Sequence, residues 1–160
     1  MKIRSTEVEA DSIIPSKHVF NDMGCSGANI SPALEWSGAP AGTKSFAITV
    51  YDPDAPSGSG WWHWMMYDIP SSVTSLSSGA GNKGGALPSG ARQGMTDSGV
   101  RGWEGPCPPP GDDPHRYVFT VFALSVEKLE VRENATSAMI GFNLNANMLA
   151  KASFTAIFGR

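Results

Sequence analysis

Three short runs of β-branched and aromatic residues, each closed by proline or turn-forming residues, set the architecture open to this chain. Ser45–Tyr51 follows Ala41-Gly42-Thr43 and stops at Asp52-Pro53. Trp62–Ile69 stops at Pro70, and Arg116–Leu124 alternates large apolar with smaller side chains. Runs of this length and composition read as strands, and Ser153–Phe158 adds a last one. Between the third and the last, Ala138, Met139, Phe142, Leu144 and Leu149 fall at helical spacing behind Thr136, which predicts a capped helix over 136–150. Strands joined by hairpins and long loops, with little helix, predict a mainly β chain folded as an antiparallel β-sandwich with a small helical C-terminal segment.

Between Pro70 and His115 the composition shifts to Ser, Gly and Pro, with weak strand signals only at Ala91-Arg92-Gln93 and Val100–Trp103. A loop of that length inside a compact domain is usually functional. The 160 residues fit a single domain, 1–160, and 41% hydrophobic residues against 17% charged are enough for a packed core.

Several function classes are excluded on the same basis. The formal net charge is -3 and no cluster of Lys or Arg occurs, so nucleic acid is not an expected partner. The start, Met1–Glu9, turns acidic where a secretory signal would be apolar, and no later run could span a bilayer; the expectation is a cytoplasmic protein without a transmembrane segment. Cys25 and Cys107 lack metal-site spacing, and in a reducing cytosol two plain thiols are the default. Their Gly- and Pro-rich loops nevertheless flank strands expected at one end of the fold, which would bring them near one another. Gly79-Ala80-Gly81-Asn82-Lys83-Gly84 has phosphate-loop glycines but no strand before it or helix after it, and Gly58-Ser59-Gly60 lacks a nucleophile elbow. Both read as loops. No cofactor and no metal is assigned.

Two segments carry candidate chemistry. In Tyr51–Trp64, Asp52 and Asp54 stand just past a buried strand, Pro53 and Pro56 stiffen the turn, and His63 opens the next strand. In Gly105–Tyr117, Pro106, Pro108, Pro109 and Pro110 surround Cys107, and His115 and Tyr117, two residues apart, share one strand face. Each alone has an ordinary reading: an Asp-Pro-Asp turn as a solvated loop, a proline run as a linker, a histidine as a core or strand-edge residue. Together they offer imidazole and phenol donors for an oxyanion, with carboxylates to orient the imidazoles and raise their pKa, and aromatic walls from Trp61, Trp62 and Trp103. The same set could also bind a metal.

"DPDAP" followed by "WWHW", and "GPCPPPG" followed by "HRYVFTVFAL", resemble the two signature segments of the phosphatidylethanolamine-binding proteins. "NISPALEWSGAPAGTKSFAITVYDPDAP" and "GFNLNANMLAKASFTAIFGR" resemble the bacterial, Raf-kinase-inhibitor-like branch, so the likeness covers nearly the whole chain. It implies antiparallel sheets with a helical C-terminus and a pocket for phosphate-like anions. That pocket would be lined by Asp52, Asp54, His63, His115 and Tyr117, with the backbone around Cys107 and Pro108 as one wall. It also implies a small anionic ligand or phosphorylated group as partner, or a protein such as a kinase or protease, and a homodimer. Bacterial relatives often carry histidine where this chain has Asn145 and Asn147, which removes an ionisable contribution from that region. The function expected is non-catalytic binding of a phosphate-like group. The alternative is a small hydrolase or lyase in which Asp52 or Asp54 works with His63 or His115 as an acid/base pair.

Overall fold

The computed structural model describes residues 1–160. The strands are β1 (Lys2–Arg4), β2 (Leu34–Ser37), β3 (Ser45–Asp52), β4 (Trp61–Pro70), β5 (Ser75–Leu76), β6 (Arg92–Gln93), β7 (His115–Leu124) and β8 (Met148–Phe158), with α1 at Ser137–Asn147. They form two antiparallel sheets, one ordered β1-β2-β5 and the other β6-β4-β3-β7-β8. The mainly β expectation holds.

Strand alternation sorts the core into two layers. Phe46, Ile48 and Val50 of β3, Trp64 and Met66 of β4, and Tyr117, Phe119 and Val121 of β7 face the small sheet, where Leu34, Trp36 and Leu76 meet them. Ala47, Met65, Tyr67, Phe122 and Leu124 face the other way, against Ile140 and Leu144 of α1. Covered on both sides, β3 is the buried centre, and β4 and β7 flank it.

Each predicted strand is present within one residue at its start and end, except the last, which begins at Met148 rather than Ser153. The predicted helix ends correspondingly early, at Asn147. Thr136 caps it, its hydroxyl oxygen accepting from the Met139 N–H, as anticipated. The weak signal at 91–93 is β6, whereas Val100–Trp103 supplies only a bridge from Arg101 to Met95. The side-chain amides of Asn145 and Asn147 donate to the carbonyls of Gly141 and Asn143, one helical turn earlier.

The two cysteines are correctly placed together but are not plain thiols. Cys25 and Cys107 form a disulfide with their Cα atoms 6.0 Å apart, inside the distance a bridge requires. The sequence contains no short-range sign of this pairing, since 82 residues separate them.

Candidate functional site

The ends of β3, β4 and β7 converge with two loops around a cavity of about 230 Å³. Of the residues singled out in the sequence, Asp52, His63, Cys107, Pro108, His115 and Tyr117 line it. Asp54 does not. It turns outward to Arg116, whose guanidinium and backbone N–H both donate to it, and that pairing holds its carboxyl at about 2. Asp54 therefore fixes the turn from outside the cavity.

His63 reaches the cavity because β4 bulges. Val50 pairs with Trp64 and Tyr51 with Trp62, leaving His63 as the extra residue between them. Strict alternation would send His63 to the helix side with Met65 and Tyr67. The bulge re-aims it toward Tyr117, whose ring centroid lies 5.1 Å away in an edge-on arrangement.

The two histidines differ in what they touch. His63 Nδ1 lies 2.8 Å from the Glu104 carbonyl oxygen, which can only accept, so Nδ1 carries the hydrogen and the neutral ring keeps Nε2 as an acceptor. Burial lowers the His63 pKa, and the Glu104 carbonyl and the charge of Asp52 oppose that without prevailing. His115 has a carboxylate at both nitrogens: Asp52 at 2.8 Å from Nδ1 and Asp112 at 3.2 Å from Nε2. Burial again works against the charged ring, but the Asp52 hydrogen bond and charge, with Asp112 added, raise the pKa overall. The two imidazoles are thus pushed in opposite directions, His63 toward the neutral form and His115 toward the charged one.

Asp52 is fixed from both sides. Its Oδ1 accepts from the Asp54 and Ala55 N–H groups at 2.8 and 3.1 Å while Oδ2 holds His115, all at 2% exposure. Tyr117, also buried, has a hydroxyl with no partner, and burial together with the Asp52 and Asp54 charges raises its pKa far enough that it stays a neutral phenol. Three other buried polar atoms, His18 Nε2, Trp36 Nε1 and Trp103 Nε1, also lack partners, but of these residues Tyr117 alone lines the cavity, where a ligand could meet it.

The opposite wall is apolar and comes from sequence-distant loops: Phe20 and Met23 from one, Cys107, Pro108 and Pro109 from the other, with Trp61 and Pro56 at the side. The disulfide ties the two loops together. Arg160 adds a second tie, donating to the carbonyls of Pro108 and Met23. Gly105 permits the close approach, since a Cβ there would lie 2.2 Å from the His18 carbonyl oxygen. Phe20 and Met23 carried no periodic or motif signal in the sequence. No group of three or more His, Cys, Asp or Glu side chains has an arrangement that could hold a metal ion. A wider hollow beside β1 exposes Arg4 and Glu7, but these are already paired with Glu35 and Lys17.

The comparisons with known proteins name the class to which this two-sheet fold and its cavity belong. The family described as phosphatidylethanolamine-binding protein matches residues 4–159, and the chain belongs to that family. Within it, the chain falls in the bacterial branch of YbcL and YbhB. It is 51% identical to the Escherichia coli protein YbcL over 98% of this chain and 86% of that one, and 49% identical to E. coli YbhB over 99% of both. The crystal structure of E. coli YbcL, described as a member of the mammalian family, superposes with a TM-score of 0.96 at 50% identity, covering 99% of this chain and 98% of that one. A homologue from Chlamydia trachomatis gives 0.82 at 30% identity, covering 99% and 97%. No helix is long and apolar enough to cross a membrane.

Proposed function

We propose that the cavity binds a phosphate-like anionic group carried on a small molecule or a partner protein, without catalysing its conversion. The observation that carries this reading is the buried, unpartnered Tyr117 hydroxyl in one cavity with His115, whose two carboxylate partners favour its charged form. An oxyanion placed there would satisfy the phenol and face a positive charge, and charge-assisted bonds of this kind are the strong ones. The apolar wall of Phe20, Met23 and Trp61 suits an organic substituent on the anion. Calorimetric titration with phenyl phosphate, followed by assay for released phenol, tests it. Saturable binding with intact ester is expected, and absence of binding would end the reading.

One observation favours a second reading, that of a small hydrolase or lyase. His63, pushed toward the neutral form, and His115, pushed toward the charged one, share a cavity, which is the division a general base and a general acid need. Steady release of phenol that is abolished in His63→Gln would establish it. Asp54 drops out of that scheme because it is committed to Arg116.

Three finer expectations are proposed with the first reading. A phosphorylated side chain offers the same group, so inhibition of a kinase or protease would work through this cavity; capture of a phosphorylated but not a dephosphorylated partner tests it. Pairing as a homodimer is checked by light scattering. The cytoplasmic expectation now has an observation against it, because disulfides persist chiefly in oxidising compartments, and cell fractionation decides between them.

A further inference from the structure

We propose that the Asp112 carboxylate is an internal competitor for the anion's seat on His115, so that a ligand reaches this ring only when the Asp112 side chain swings away. This inference rests on the anion-binding reading above. His115 has two N–H groups to give. Nδ1 is committed to Asp52, a buried carboxylate that also accepts two backbone N–H groups. Only Nε2 remains, and Asp112 occupies it. Any external oxyanion that uses His115 as a donor must therefore take the position of the Asp112 oxygen.

The two carboxylates on this ring differ in permanence. The Asp52 contact is 2.8 Å, within the usual range for a charge-assisted bond, whereas the Asp112 contact is 3.2 Å, outside it. The Asp112 side chain is 39% exposed against 4% for His115, and this is its one side-chain hydrogen bond. Its backbone is held separately: the Asp112 N–H reaches the Pro109 carbonyl at 3.4 Å, and Gly111, at φ +87°, donates to the carbonyl of Arg160 at 3.2 Å. Rotation of one exposed side chain is then enough to open the seat, with the proline loop left in place.

Two consequences follow for recognition. Apparent affinity is lowered by the fraction of time the seat is closed, because only the open form binds. A simple carboxylate offers His115 no more than Asp112 already does, whereas a phosphate monoester brings more charge and more acceptor oxygens. The closed seat lowers the affinity of both by the same factor, so a preference for the phosphate rests on that charge and those oxygens.

The test compares Asp112→Ala with Asp113→Ala, a matched loss of charge on the neighbouring exposed residue, each titrated with phenyl phosphate by calorimetry. The account expects Asp112→Ala to bind about tenfold tighter than the unmodified chain, as for a seat closed roughly nine-tenths of the time, and Asp113→Ala to stay within about twofold. Equal tightening in both variants would reduce the effect to net charge and overturn the proposal. Unchanged or weaker binding in Asp112→Ala would overturn it too, while leaving the anion site intact in the unmodified chain. If neither the unmodified chain nor Asp112→Ala binds phenyl phosphate, the anion-binding reading itself fails, and this inference fails with it.

Discussion

The two sides of the cavity are built by different means. On one side Asp52, His63, His115 and Tyr117 stand on the ends of β3, β4 and β7, and their positions follow from strand register, one bulge and buried hydrogen bonds. On the other, Phe20, Met23, Cys107 and Pro108 stand on loops joined by a disulfide, the Arg160 contacts, the Phe20 N–H donating to the Pro106 carbonyl and the tight fit of Gly105. The polar groups thus stand on the strand framework and the apolar wall on cross-linked loops. Disturbing one side should leave a signature different from disturbing the other.

The largest effect is expected from the cross-link. Opening the Cys25–Cys107 bridge releases an 82-residue separation, for which chain entropy alone gives a loss of about 4 kcal/mol. Denaturant unfolding of the Cys25→Ser/Cys107→Ser protein measures it. Phenyl phosphate should weaken more than inorganic phosphate in that variant, since only the former touches the loop wall. Equal weakening would break the division between the two sides.

Asp52→Ala strikes the framework side. It strips the Asp54 and Ala55 N–H groups of their acceptor and leaves His115 without its buried partner, so a loss of about 3 kcal/mol is expected together with loss of anion binding. An unchanged melting temperature with binding lost would show the carboxylate to be purely functional. Asp54→Asn is the contrast. It sits outside the cavity, and its binding affinity should match the unmodified chain.

The histidines supply the smaller, pH-dependent effects, with opposite signs. His115 has a raised pKa when folded, so its contribution to stability is full below the unfolded value of about 6.5 and is lost as pH rises through the folded value. His63 has a lowered pKa, so it destabilises the fold as pH falls below that same unfolded value. In melting curves across mildly acidic to mildly alkaline pH, the pH-dependent differences of His115→Gln and His63→Gln from the unmodified chain should therefore both vanish at the alkaline end and grow with opposite signs toward acid, His115→Gln losing stability and His63→Gln gaining it. Differences that grow with the same sign toward acid would contradict the split.

The framework side was largely legible in the sequence because its residues are adjacent to strands with strong patterns. Asp52 ends β3, and His115 and Tyr117 begin β7 two residues apart. His63 was found by its place in a motif, but its direction was not, since alternation cannot announce a bulge that only the pairing with β3 reveals. Asp54 looked equivalent to Asp52 because their separation depends on which carboxylate meets Arg116, a contact across 62 residues. The loop wall was illegible for a related reason: Phe20 and Met23 lie in a segment without periodicity and are brought in by a long-range cross-link. Strands β1, β2 and β5 are two to four residues long and have too little pattern to register.

The central claim is that His115 carries the positive charge that recruits the anion while His63 stays neutral. Phenyl sulfate keeps one charge over this pH range, unlike a phosphate ester that titrates near about pH 6, so its pH dependence reports the protein alone. Calorimetric titration of phenyl sulfate against the unmodified chain and His115→Gln should give an affinity that is highest at mildly acidic pH and falls as pH rises through the His115 pKa, with a weaker and flat profile in the variant. An affinity that is flat or rising with pH in the unmodified chain, or a falling slope that survives in His115→Gln, would contradict it.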